Sequence, residues 1–141
     1  MKRHAISVWK GTVKEGSGVL TSQSKILDQT AYSFSTRFVD ETGKKGTNPE
    51  ELIAAAHAGC FNMALSLMLT EAGFTPKELH TKATVNIDAD KLEITASHLD
   101  LTAEIEGISR EKFEELANNA KKGCPVSKVL NCDISLNATL K

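Results

Sequence analysis

The sequence predicts an α+β fold, with strands and helices grouped along the chain rather than strictly alternating. Three features point to it. Residues 52–70 form a nearly unbroken apolar run with helix-capping signals at both ends. Period-2 alternation appears before it, near residues 8, 19 and 31–38, and after it, over 79–105 and 134–140. A second helical pattern, opened by Ser109 and closed by Gly123, divides the later strands. With 141 residues, the chain has the length of one domain spanning 1–141, enough to bury a real core.

In chain order, VWKGTV near Val8, GVLTS near Val19 and AYSFSTRF at 31–38 read as three short strands separated by glycine-containing or polar turns. In the third, Tyr32, Phe34 and Phe38 face one way and Arg37 the other. Asn48 then serves as N-cap, Pro49 as first helical residue, and Glu50 and Glu51 sit in the positive first turn. Gly73 can stop this helix. Its length raises the membrane question, but His57, Asn62 and Ser66 interrupt the run and the caps are those of a soluble helix, so no membrane partner is expected. A helix apolar on all sides belongs in a core, wrapped on every side.

After the helix, Leu79, Ala83, Val85 and Ile87 alternate with polar neighbours. Leu92, Ile94 and Ala96 then lie in one phase and Leu99, Leu101, Ala103 and Ile105 in the other, which predicts a bulge near Ser97–His98. Ser109 caps the second helix, with Ile108 and Phe113 at staple positions. Pro125 opens a short third helix through Leu130, and Ile134, Leu136, Ala138 and Leu140 mark a final strand.

Composition removes several function classes. Seventeen Lys and Arg against 18 Asp and Glu leave no basic footprint for nucleic acid. The opening MKRHAISVWKG has cations but no apolar run behind them, so no signal peptide is read and the cytoplasm is the expected location. There, disulfides are mostly transient and catalytic, and three cysteines do not make a paired framework. No repeat, linker or phosphate-binding glycine motif stands out.

The cysteines carry the chemistry. Cys60 and Cys124 lie 64 positions apart, each beside a helix signal, which suggests a redox pair assembled by the fold. One sulfur would meet an oxidant and the other would close a disulfide on it. Cys132 is in phase with Ile134 and Leu136 and reads as a small core residue. Cys124 precedes Pro125 at a helix start, with Lys121 and Lys122 nearby, a setting that favours a thiolate. Cys60, inside an apolar helix, would be inert unless a cation reached it. An ordinary thiol with a pKa of about 8.5 is only about 3% ionised at pH 7; a drop to about 6 needs roughly 3.4 kcal/mol of differential interaction. A desolvated arginine can supply that order of energy, and Arg37 is the candidate, unless it is simply a solvated surface residue. A competing reading places zinc on His57, Cys60 and Cys124, although the paired spacing of zinc sites is missing.

FSTRF at 34–38, GTNPEELIAAAHAGCFNMALSLML at 46–69, EAGFTP at 71–76 and GCPVSKVL at 123–130 together carry a resemblance. The chain resembles the OsmC/Ohr family of thiol-dependent peroxidases over essentially its whole length, and its OsmC branch more closely. His57-Ala58-Gly59-Cys60 is the OsmC-like version; the Ohr branch usually has Tyr where His57 stands. The resemblance implies an intertwined homodimer, with antiparallel sheets wrapped around long central helices and active sites at the subunit interface. It implies a peroxidatic Cys60, a resolving Cys124, an Arg37 that stabilises the thiolate and departing oxygen, and a Glu50 that holds Arg37. The implied substrates are organic hydroperoxides and, more weakly, hydrogen peroxide. A dithiol, with lipoyl-type compounds as one candidate, would be the reductant, and no metal or other cofactor is implied. Cys132 departs from the two-cysteine pattern. Apolar Phe61, Met63 and Phe38 would favour organic substrates. Glu50 precedes Cys60 by ten residues, about 15 Å along a helix and roughly 80° around it, so the expectation is that Glu50 reaches the site from the partner chain.

Overall fold

The computed structural model describes residues 1–141. They form two compact units, Met1–Leu52 and Ile53–Lys141.

In the first unit, β1 (Ala5–Lys10), β2 (Ser17–Ser22) and β3 (Thr30–Ser33) form an antiparallel sheet in the order β1-β2-β3. Gly18 on β2 lies opposite Tyr32, and a Cβ there would collide with the tyrosine ring. The missing side chain lets Tyr32 cross β2 and bring its hydroxyl 2.7 Å from Ser7 Oγ on β1. The third strand is shorter than the alternation in AYSFSTRF predicts. It stops at Ser33, and Phe34–Phe38 forms a helical turn, α1. The reason is a reciprocal cap: Thr36 N–H donates to Ser33 Oγ at 3.1 Å while Ser33 N–H donates to Thr36 Oγ1 at 2.8 Å. Arg37 therefore projects from a helical turn rather than from a sheet face.

The same unit anchors the start of the long helix α2 (Pro49–Glu71). Thr47 N–H donates to Ala31 O at 3.0 Å, and Thr36 Oγ1 donates to Thr47 O at 3.1 Å. Asn48 caps the helix as expected, accepting from Glu51 N–H at 2.8 Å. At the far end Gly73 adopts φ +86°, and the amides of Phe74 and Gly73 close back onto Leu69 O and Thr70 O at 2.8 and 3.0 Å. This is a Schellman stop.

The second unit holds the rest of α2 with β4 (Pro76–Asp88), β5 (Glu93–Ile105), α3 (Arg110–Gly123), α4 (Pro125–Val129) and β6 (Asp133–Leu140). Sheet order is β4-β5-β6. Antiparallel pairing holds for β1-β2, β2-β3 and β4-β5, whereas β6 joins β5 in parallel. Parallel neighbours need a long crossover, which α3 and α4 supply. The bulge falls at Thr95, between the pairs Asn86↔Ala96 and Ile87↔Ile94, two residues before the expected place. Leu92 takes no part in the strand; it turns at φ +53° and is exposed.

Phe61, Leu65 and Leu69 of α2 meet Leu99, Leu101, Ala103 and Ile105 of β5 and Phe113, Leu116, Ala117 and Ala120 of α3 in one core. The helix is not wrapped on every side by its own chain, however. Met63 and Leu67, on the face away from that core, remain 77% and 60% exposed. The helix is long and apolar enough to cross a membrane by composition, yet one of its faces is committed to this core.

Ser109 caps α3 by accepting from Lys112 N–H at 3.2 Å. Gly123 is the last residue of that helix, without a positive φ. The stop comes from Pro125, which disfavours helical backbone at the residue before it. Cys124 accordingly adopts φ −59°, ψ 127° and joins the end of α3 to the start of α4.

Candidate active site

Two pairs of side chains singled out from the sequence come together, one in each unit. In the first unit Arg37 donates to Glu50 through two parallel hydrogen bonds, Nε to Oε2 at 3.1 Å and Nη2 to Oε1 at 2.7 Å. Glu50 is buried, whereas Arg37 is an exposed residue whose side chain keeps 35% of its surface accessible. The guanidinium carbon also lies 5.0 Å from the centroid of the Phe38 ring, which itself meets Phe34 at 5.1 Å. The cap at Ser33 sets the turn bearing Arg37 and the cap at Asn48 sets the turn bearing Glu50. A bidentate ion pair of this kind fixes the plane of the guanidinium as well as its charge.

In the second unit Cys60 of α2 and Cys124 lie within hydrogen-bond reach of each other, both as free thiols. Cys124 is fully buried and Cys60 partly so. The Val126 backbone lies close enough to both sulfurs to lower both thiols. Burial pushes the Cys124 thiol up, but hydrogen bonds from Cys60, from Ser127 through its N–H and hydroxyl, and from Val126 outweigh it and leave the thiol below its ordinary range. Cys60 moves the other way. Burial raises it and its hydrogen bond to Cys124 raises it further. Within this unit, then, Cys124 is the more readily ionised thiol of the two. Lys121 and Lys122, expected to help, are not among the groups that shift it.

Sequence reasoning did not single out Ser97 and Ser127, which hold the buried His57. Its Nδ1 lies 2.7 Å from Ser97 Oγ on β5 and its Nε2 2.9 Å from Ser127 Oγ on α4. Burial lowers the His57 pKa and favours the neutral ring. Both residues carried a sequence signal. Ser97 is a polar residue in phase with Leu99 and Leu101, and Ser127 is the third residue after Cys124, where a side chain can reach back to the helix start. Because both ring nitrogens are engaged, a zinc ion on His57 would have to displace a serine.

Of the apolar residues expected near substrate, Phe61 is fully buried in the core and cannot line a substrate path. Met63 lies on the exposed face of α2, and Phe38 stacks beside Arg37. Cys132 is half-buried, and burial together with Asp133 pushes its thiol up.

The OsmC-like protein family matches residues 42–139 of the chain. Peroxiredoxin OsmC of Escherichia coli (strain K12) is 47% identical over 135 residues, covering 94% of this chain and 92% of its own length. Organic hydroperoxide resistance protein OhrB of Bacillus subtilis (strain 168) is 29% identical over 143 residues, covering 97% and 99% of the two chains. The crystal structure of an OsmC-like protein from Mycoplasma pneumoniae superimposes with a TM-score of 0.74 over 99% of this chain and 97% of that one, at 19% identity, a likeness of fold.

Proposed function

This chain belongs to the OsmC-like family and is a thiol peroxidase, and from that premise we propose that Cys60 meets the hydroperoxide and Cys124 resolves the product. The observation that carries this reading is the meeting of the two sulfurs, from α2 and from the α3–α4 junction.

In the first step the Cys60 thiolate attacks the distal oxygen of an organic hydroperoxide. An S–O bond forms, the O–O bond breaks, and the alkoxide leaves as an alcohol after taking a proton. Burial and the neighbouring Cys124 push the Cys60 thiol up, so the step requires a cation beside it. Arg37 fills that role. Its pairing with Glu50 uses Nε and Nη2 and leaves Nη1 for the sulfur and the peroxide oxygens, where charge develops. In the second step Cys124 attacks the Cys60 sulfenic acid, and water departs as the disulfide forms. A thiol reductant then returns both cysteines to thiols; we assign this to a dithiol, lipoyl compounds being the first to try.

The working form is an intertwined homodimer in which both units of a chain act as one domain and the Arg37–Glu50 pair of one subunit serves the Cys60–Cys124 pair of the other. Two uncovered apolar surfaces support it: Met63 and Leu67 on α2, and β1, exposed along its whole length with Ile6, Val8 and Trp9. The cytoplasm, where a disulfide is readily cycled, suits this chemistry.

Intact-mass measurement after one equivalent of cumene hydroperoxide tests the assignment. Wild type should lose two hydrogens per chain, Cys124→Ser should gain one oxygen, and Cys60→Ser should change in neither way. Oxygen uptake by Cys60→Ser would overturn the assignment.

A further inference from the structure

His57 is fully buried one helical turn before Cys60, and the reaction steps above make no use of it. We propose that His57, acting through Ser127, is a positioning residue for the disulfide-forming step: it orients the Ser127 hydroxyl so that its proton points at the Cys124 sulfur. This rests on the assignment of Cys60 and Cys124 given above.

The argument is one of donor direction. A neutral imidazole has one donor and one acceptor nitrogen, and a thiolate can only accept. Ser127 Oγ lies 2.9 Å from His57 Nε2, and Ser127 stands three residues past Cys124, the N-cap of α4, where its hydroxyl faces back towards that residue. If Nε2 carries the hydrogen, it donates to Ser127 Oγ, the Ser127 hydroxyl is free to donate to Cys124, and Nδ1 accepts from the Ser97 hydroxyl 2.7 Å away. With the hydrogen on Nδ1 instead, Ser127 must donate to the ring and Cys124 loses that donor. Only the first arrangement aims the whole chain, from Ser97 through His57 and Ser127, at the sulfur. Ser97 is itself fully buried, so the far end of the chain is held out of water.

The donor matters most after the first step. As a thiol, Cys60 supplies a hydrogen bond to Cys124. Oxidation to the sulfenic acid consumes that S–H just when Cys124 must become the nucleophile, leaving Ser127 and the local amides. Cys124 then gives up its proton and attacks. The S–S bond forms, the S–O bond of Cys60 breaks, and the oxygen leaves as water with the sulfenic proton and the one Cys124 released. The Cys60 sulfur is reduced by one level and the Cys124 sulfur oxidised by one. Within four residues of either sulfur along these elements, the other ionisable groups are His57 on α2, Lys121 and Lys122 on α3, and Lys128 on α4.

Rapid mixing with one equivalent of cumene hydroperoxide, quenched and read by intact mass, separates oxidation of Cys60 from closure of the disulfide. Ser127→Ala and His57→Leu should slow closure on the order of tenfold at pH 7 and slow it more than oxidation, from loss of a hydrogen bond to a charged group. His57→Gln, which can still donate to Ser127, should recover part of the rate. Raising the pH through the ordinary thiol range should restore closure in the alanine variant by supplying the thiolate directly. Equal slowing of both steps, no slowing, or a deficit that high pH leaves in place would each overturn the proposal. Nitrogen-15 imidazole spectra of the wild-type protein give a check independent of any variant: the Nε2–H tautomer is expected, and the Nδ1–H tautomer would sink the idea. Should Cys124→Ser form no sulfenic acid at Cys60, the parent assignment fails and takes this proposal with it. Normal sulfenic acid there with unchanged closure in Ser127→Ala removes the His57 role alone.

Discussion

Arg37 and Glu50 meet through two parallel bonds of 3.1 and 2.7 Å, and that geometry separates charge from orientation. Arg37→Lys keeps the charge but loses the planar fork, so kcat/KM for cumene hydroperoxide should fall on the order of a hundredfold, as removal of one transition-state donor does elsewhere. A lysine variant with near wild-type activity would mean that position alone suffices. His57 makes a different prediction, about stability. Its pKa in the fold is lowered by burial from the ordinary 6.5, so below about that pH the unfolded chain takes up a proton that the folded chain refuses. Its contribution is therefore fully present above about pH 6.5 and is lost as pH falls towards the depressed folded value. Thermal melts from pH 7.5 to 5 should show a steeper loss for wild type than for His57→Gln. Parallel curves would remove His57 as the cause. None of this was legible from His57 alone, because an isolated histidine in an apolar helix does not announce which hydroxyls the fold will bring to it.

The elements were read unevenly, and the reasons are local. The boundaries of α2 followed from Asn48, Pro49 and Gly73, each of which acts within a few residues of itself. Asn48→Ala should lower unfolding free energy by about 1 kcal/mol in urea titration, the usual value of a side-chain cap; no loss would show that neighbouring contacts hold the turn instead. AYSFSTRF misled because its alternation is genuine, yet the Ser33–Thr36 cap forms a helical turn within the same eight residues. The bulge was displaced because phase shows only that one residue is extra, and the pairing partner decides which. The parallel placing of β6 was illegible for a related reason: alternation gives a strand its faces but not its neighbour. Cys60 and Cys124 could be paired from the sequence, whereas the lowering of the Cys124 thiol depends on neighbours at Val126 and Ser127 that only the fold brings to it.

At the scale of the whole molecule, the apolar face of α2 and the open β1 strand leave a single chain unfinished. If the proposed homodimer covers this face, Met63→Glu should shift the protein towards monomer in analytical ultracentrifugation and reduce peroxidase activity with it, since burying a charge in an apolar interface is costly; an intact dimer would place the interface elsewhere. A mixed dimer with Glu50→Ala in one chain and Cys60→Ser in the other distinguishes the routes by which Arg37 reaches sulfur. Service across subunits leaves one complete site and about half the wild-type activity, by counting sites, while service within a chain leaves none. Cys132 has a practical consequence of its own. Burial and Asp133 push its thiol up and it lies outside the Cys60–Cys124 pair, so it is expected to stay reduced while the other two cycle. Unfolded in denaturant and titrated with a chromogenic disulfide, the reduced chain should release three equivalents of colour and the peroxide-treated chain one, from three cysteines per chain. Every preparation thereby carries an internal standard against which its oxidised fraction can be read.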